Sequence, residues 1–111
     1  MAGYFELKGA SGGKFMFNLK AGNHEVILTS ETYSSKSGAQ TGIGSVKTNA
    51  PNDSQYERKK AKDDSPFFVL KATNNEPIGK SEMYSSASAM ESGIASVKTN
   101  APSATVKDLT A

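Results

Sequence analysis

The chain has no cysteine, no tryptophan, one histidine and four prolines among 111 residues. Lacking cysteine, it has no disulfide framework and no thiolate metal site, so packing alone must hold the fold, and a reducing compartment is compatible with it. No apolar run approaches the ~18 residues of a membrane span. The start, Met1-Ala2-Gly3-Tyr4-Phe5-Glu6, lacks a charged leader followed by an apolar stretch. Both absences disfavour membrane insertion and secretion, and the expected location is cytoplasmic. Excess charge is missing too: thirteen basic against eleven acidic residues leave +2, too little to steer the chain strongly to nucleic acid or anionic membranes. A chain this short forms one domain, or two half-domains sharing a core, and buries roughly 65% of its unfolded surface.

What the chain has is an internal repeat. Ser45-Val46-Lys47-Thr48-Asn49-Ala50-Pro51 recurs as Ser96-Val97-Lys98-Thr99-Asn100-Ala101-Pro102, an offset of 51 residues. Upstream, without a gap, Phe17, Leu19, Asn23, Glu25 and Ile27 meet Phe68, Leu70, Asn74, Glu76 and Ile78. Over residues 15–51 against 66–102, 22 of 37 positions are identical, far beyond chance. The reading is a single domain of two repeats, about 3–52 and about 54–109. Two copies are too few for a solenoid, which buries its faces by stacking roughly three or more units. Closure about a pseudo-two-fold axis is the alternative, as in a covalently linked dimer, and it makes a monomer the expected state.

Each repeat opens with period-2 segments. Phe5 and Leu7 share one face of a first strand at about 3–9, and Phe15, Phe17 and Leu19 share one face of a second. Gly9–Gly13 and Ala21-Gly22-Asn23 are turn chemistry, which predicts hairpins. Val26, Ile27 and Leu28 make a third strand; Pro77 replaces Val26 in the second copy, so that strand is short or at an edge. A helix follows in each copy, because Ala39, Ile43, Val46 and Ala50 recur as one stripe and Met90, Ile94, Val97 and Ala101 repeat it. Ser37 with Gln40 and Ser88 with Glu91 fit a capping box, with Ser34 and Ser85 as earlier starts. Lys47 and Lys98 sit in the last turn, favoured by the helix dipole, and Asn49/Asn100 with Pro51/Pro102 supply the stop. Gly42 and Gly93 flank the stripe, where glycine costs ~1 kcal/mol against alanine, which implies a close backbone approach of helix to sheet or helix to helix. A last strand at Thr105–Leu109 has its first-copy equivalent around Ser54–Arg58, which must also open the second repeat. The order is β-β-β-α-β-β-α-β, an α+β sheet with both helices on one face.

Tyr-Ser-Ser followed by Gly-Ile-x-Ser-Val-Lys-Thr-Asn-Ala-Pro, in tandem copies, resembles the YegP-like uncharacterised proteins over about residues 3–109. The resemblance implies a β3-α-β unit present twice, one shared, mainly antiparallel sheet, and C-terminal strands exchanged between units. It brings no catalytic residues, substrate or cofactor with it.

The residues yield no catalytic, cofactor-binding or metal-binding set. His24 sits in a turn and its counterpart is Asn75, so a duplicated site would lack it. Gly79-Lys80-Ser81 mimics the end of a phosphate loop, but the required earlier glycine is Asn74. Gly42-Ile43-Gly44 lies inside a helix rather than at a strand-to-helix turn. Glu25 with Glu76, and Glu31 with Glu82, could pair across the axis as acid and base; the plainer role for Glu31 and Glu82 is to precede a helix. Arg58, Lys60 and Lys62 alternate onto one strand face, but Asp63-Asp64 offsets them, and nucleic acid is disfavoured. Two candidate surfaces remain. One is the open sheet face, where Met16, Phe67 and Val69 would form a mixed apolar patch for a protein or small-ligand partner. The other is the pair of loops Tyr33-Ser34-Ser35 and Tyr84-Ser85-Ser86 before the helices. A non-catalytic interaction or ligand-binding module leads, ahead of a nucleic-acid-associated protein and a small enzyme using the duplicated glutamates or tyrosines.

Overall fold

In the computed structural model, which describes residues 3–110, the order is β1 (Tyr4–Ala10), β2 (Lys14–Lys20), β3 (Val26–Ser30), α1 (Lys36–Asn49), β4 (Tyr56–Lys60), β5 (Pro66–Lys71), β6 (Pro77–Lys80), α2 (Ala87–Asn100) and β7 (Thr105–Asp108). Met1 and Ala2 of the N-terminal segment read above lie outside the described residues. One seven-stranded sheet runs β4-β5-β6-β3-β2-β1-β7, mixed rather than all antiparallel because β7 pairs with β1 in parallel. The strand that the sequence order lacks is β6. It is short, as Pro77 predicts, but it lies at the centre of the sheet, not at an edge. Pro77 is its first residue, where no ladder N–H is needed.

The alternation works as read. Phe5, Leu7, Phe17, Leu19, Phe68 and Leu70 are fully buried beneath the helices, each stabilising the fold by ~1.5–3 kcal/mol. The helical stripes Ala39-Ile43-Val46-Ala50 and Met90-Ile94-Val97-Ala101 close the same single core. Lys47 and Lys98 do more than face the dipole: their ammonium groups lie 6.0 Å and 5.7 Å from the ring centres of Phe5 and Tyr56. Among the described residues no helix is long and apolar enough to cross a membrane.

The repeats meet where β3 pairs with β6, through Thr29–Lys80 and Ser30–Gly79. Leu28, fully buried, fills the space at this junction. A side chain on its counterpart Gly79 would lie 2.8 Å from the Thr29 carbonyl oxygen and 3.1 Å from Leu28 Cγ. The pseudo-axis has room for one leucine, so the other copy is glycine.

Strand exchange runs one way only. β7 of the second repeat lies beside β1 of the first, with Phe5 opposite Val106. The matching segment of the first repeat, residues 54–57, is consumed in a short helical turn (Asp53–Gln55) and in β4 itself. Among the described residues the outer edge of β4 is therefore unpaired. Leu7, under β7, is fully buried, whereas its counterpart on the open edge is Arg58. The Arg58 guanidinium is clamped by Glu91 on α2 (2.6 Å) and by Asp53 (2.9 Å), and Lys98 also reaches Asp53 (2.8 Å). Charge at an uncovered edge discourages pairing with another chain.

The helix starts differ from the capping boxes read in the sequence. Ser35 and Ser86 are the N-caps, accepting from the Gly38 and Ala89 amides at 3.0 Å. Ser37 and Ser88 are exposed, and Glu91 serves Arg58 instead of its own helix end. The reason lies upstream: the Tyr33 backbone is bonded in both directions to Phe15, which holds the chain extended for two residues beyond the sheet.

Candidate functional site

The tyrosine loops are built from the sheet outward. Ser30 and Ser81, both buried, end β3 and follow β6. Ser30 Oγ accepts from the Phe17 amide (2.8 Å) and donates to the Glu31 carbonyl (2.7 Å); Ser81 does the same with Phe68 (3.0 Å) and Glu82 (2.8 Å). Each hydroxyl thus satisfies a core amide and fixes the bend into the loop. Three residues after each serine, Tyr33 is bridged to Phe15, and the Tyr84 amide donates to the Pro66 carbonyl (2.8 Å). Pro66 has no N–H to return. The rings then stack on Phe17 and Phe68, 6.2 Å and 6.3 Å between centres and 11° from parallel.

The tips of these rings explain the helix glycines. A Cβ on Gly93 would overlap the Tyr84 hydroxyl and lie 2.6 Å from Cζ; on Gly42 it would overlap the Tyr33 hydroxyl and lie 2.8 Å from Cζ. The close approach is thus made by a tyrosine side chain to the helix, rather than by a neighbouring backbone. Gly44, two residues from Gly42, has nothing within 4 Å of such an atom.

Beside each tyrosine opens a cleft, and each cleft is composite. The α2 cleft, about 260 Å³, sets Tyr84, Glu82, Ser92 and Ser96 of the second repeat against Asn23, Glu25 and Ile27 from the β2–β3 turn of the first. The α1 cleft, about 250 Å³, sets Tyr33, Thr41 and Ser45 of the first repeat against Asn74, Glu76 and Ile78 from the β5–β6 turn of the second. The two are copies under the 51-residue offset. Burial raises both tyrosine pKa values; Glu82 and Glu25 push Tyr84 further up, and Glu31 pushes Tyr33. Of the four tyrosine hydroxyls, those of Tyr4 and Tyr56 bond to His24 Nδ1 and the Ala50 carbonyl, each at 2.8 Å. Those of Tyr33 and Tyr84 lie against Gly42 and Gly93, which line the clefts with them.

Other sequence candidates fall elsewhere. Ser35 and Ser86 are engaged as caps, and Ser34 and Ser85 are exposed beside them. The open sheet face is not an exposed apolar patch: Met16 and Phe67 are half-buried, and Val69 is only 9% exposed, between Glu57 and Lys80 on the flanking strands. Ion pairs Glu6–Lys20 and Glu57–Lys71, both 2.9 Å, lie across that face. His24 sits at φ 71° in a turn, and its counterpart Asn75 at φ 67°, so the position selects for left-handed backbone. The duplicated glutamates are distributed between the two clefts. Glu25 and Glu82 share the α2 cleft, while Glu76 and the Tyr33 that Glu31 acts on belong to the other. Only Arg58 and Lys60 of the basic run share a strand face; Lys62 lies beyond β4. Glu25 and Glu76 are read from the sequence as an acid–base pair, whereas Asn23 and Asn74 are passed over; the identity of all four in both copies, at exposed positions, is the signal that marks these turns.

The family described as "Domain of unknown function (DUF1508)" matches twice, over residues 10–57 and 61–108. A UPF0339 protein of Bordetella pertussis is 62% identical over 110 residues, covering 99% of this chain and 98% of its own. The UPF0339 protein YegP of Escherichia coli K12 is 54% identical over 99% of this chain and the whole of its own. Among solved structures, the solution NMR structure of a UPF0339 protein from Shewanella oneidensis superposes with a TM-score of 0.93 at 54% identity, covering 99% of this chain and 93% of that one. That of yegP from E. coli, a protein of unknown function by its own description, gives 0.94 at 54% identity, covering 99% and 95%. Two adjoining matches span nearly the whole molecule, so the chain belongs to the DUF1508 family as a tandem pair of its units.

Proposed function

We propose that the protein is a non-catalytic binding module whose ligands seat in the two equivalent clefts between the repeats. The observation that carries this reading is that each cleft is assembled from both repeats and recurs with the same chemistry: tyrosine, glutamate, asparagine and serine around a small apolar floor. A concave site with a few convergent polar groups is the usual form of a small-ligand site. The lining offers carboxylates, a phenol, amides and hydroxyls, while the one imidazole, His24, is occupied with Tyr4 outside both clefts. This is a binding set rather than a nucleophile, a base and an orienting group. The chain acts as a cytoplasmic monomer in this reading, the second repeat already supplying the partner surface.

The test is a saturation-transfer NMR screen of small metabolites of each charge class, repeated on a cleft-filling variant. Thr41→Leu and Ser92→Leu place bulk in the clefts from exposed helix positions, where leucine favours the helix. Hits should lose their signal in the double variant while its circular dichroism is unchanged. Hits that persist with both clefts filled contradict the reading.

A further inference from the structure

We infer that the clefts select a small organic cation, a protonated amine or guanidinium on a short apolar stem. The inference rests on the binding reading above and names its ligand class. The chain carries thirteen lysines and arginines, yet none lines either cleft; the charged residues that do are Glu25, Glu82 and Glu76. The seven glutamates divide the same way. Glu6, Glu57 and Glu91 are each held by a lysine or arginine within 3.0 Å. The four around the clefts, Glu25, Glu31, Glu76 and Glu82, are in no ion pair among the described residues. A net-positive protein thus leaves its four unpaired glutamates at or beside two concave sites, while its other unpaired carboxylates, Asp63 and Asp64, lie in the β4–β5 turn.

The remaining lining suits the same ligand. Tyr33 and Tyr84 present a ring and a hydroxyl beside the carboxylates, the combination that attracts an ammonium ion. Ile27 with Val26, and Ile78 with Pro77, give an apolar wall for a methylene stem. At about 260 and 250 Å³ the clefts fall below the roughly 300–1,000 Å³ of drug-sized sites, so the fit is a diamine or a single lysine-like side chain. Among the described residues no three carboxylate or imidazole groups gather as they would for a metal ion, which favours the organic cation over an inorganic one.

Duplication supplies an internal control. The experiment is an amide-resolved NMR titration of the full chain with putrescine and with Nα-acetyl-lysine amide, against 1,4-butanediol, succinate and calcium chloride. The wild type should show saturable shifts at both clefts with the two amines, and none with the diol or succinate. Putrescine binding without acetyl-lysine amide, or the reverse, separates a free amine from a protein side chain as the source. Glu25→Gln with Glu82→Gln should weaken amine binding at the α2 cleft about fivefold or more, the loss of roughly one exposed charge contact, and leave the α1 cleft unchanged. Equal binding of butanediol or succinate overturns the cation assignment while leaving a binding cleft in place. Calcium producing the same glutamine-sensitive shifts also overturns it, in favour of an inorganic ion. Silence of both clefts toward every probe here, and toward the wider metabolite screen, defeats the binding reading itself.

Discussion

Gly93→Ala is expected to destabilise the protein, although alanine is the better helix former. In an exposed helix interior the exchange favours folding by about 0.8–1.0 kcal/mol. At position 93 the new methyl would overlap the Tyr84 hydroxyl and sit 2.6 Å from Cζ, with Cε1 at 3.3 Å. Tyr84 cannot swing aside freely, because its ring stacks on buried Phe68 and its amide is bonded to Pro66. Overpacking of this kind costs about 1–3 kcal/mol, so the net loss is about 1 kcal/mol, a fall in Tm of roughly 4–8 °C for a domain near this size. Gly44→Ala is the control: it meets nothing within 4 Å, and its counterpart is already Ala95, so it should gain nearly the full helix term. The three atoms nearest the Gly93 methyl all belong to Tyr84, so in a Tyr84→Ala background Gly93→Ala should reverse sign and stabilise. Urea unfolding of the four-member cycle reads a coupling of about 2 kcal/mol. The reasoning fails if Gly93→Ala matches Gly44→Ala in stability, or if removing Tyr84 leaves the sign unchanged.

Three further expectations concern the frame around the clefts. Ser81→Ala leaves the buried Phe68 amide without its acceptor and should cost about 1–3 kcal/mol by chemical unfolding, whereas exposed Ser85→Ala should stay within about 0.5 kcal/mol of wild type; equal effects would deny the bend its role. Arg58 and Lys98 hold the Asp53 carboxyl down to about 2, below its unfolded value near 3.9. A lowered folded pKa contributes stability that is present above pH about 4 and lost as pH falls through about 2, so the wild-type Tm should fall more steeply than that of Asp53→Asn across that window; parallel curves would contradict the ion cluster. Arg58→Leu restores the apolar residue of the first repeat at the open edge of β4, and sedimentation should show concentration-dependent self-association, against a monomer for the wild type under the same conditions.

Much of the architecture can be read from the amino-acid order because the repeat constrains it. The 51-residue offset, the stripe from Ala39 to Ala50 and the alternation of Phe5, Leu7, Phe17 and Leu19 are local patterns, and each element forms where they place it. What cannot be read locally is what the pseudo-axis does to otherwise equal copies. Pro77 reads as a short or edge strand in isolation, yet β6 lies at the sheet centre because the third strands are where the repeats join. The cap moves to Ser35 because Tyr33 is tied to Phe15, a contact across eighteen residues. The tyrosine loops were visible as candidates, but the clefts were not, since half of each lining comes from a turn in the other repeat. The apolar positions Met16, Phe67 and Val69 alternate correctly onto the open face, and only the neighbouring strands' charged side chains show that Val69 is covered.

The composite nature of the clefts is tested most directly by amide shift mapping at saturating putrescine. Binding at the α2 cleft should move amides of the Ala21–Ile27 turn together with those of Tyr84 and Ser92–Ser96, on one binding curve, and the equivalent residues of the α1 cleft should respond likewise. Shifts confined to one side of each cleft, or gathered around Met16, Phe67 and Val69 on the open sheet face, would contradict a binding surface shared between the repeats.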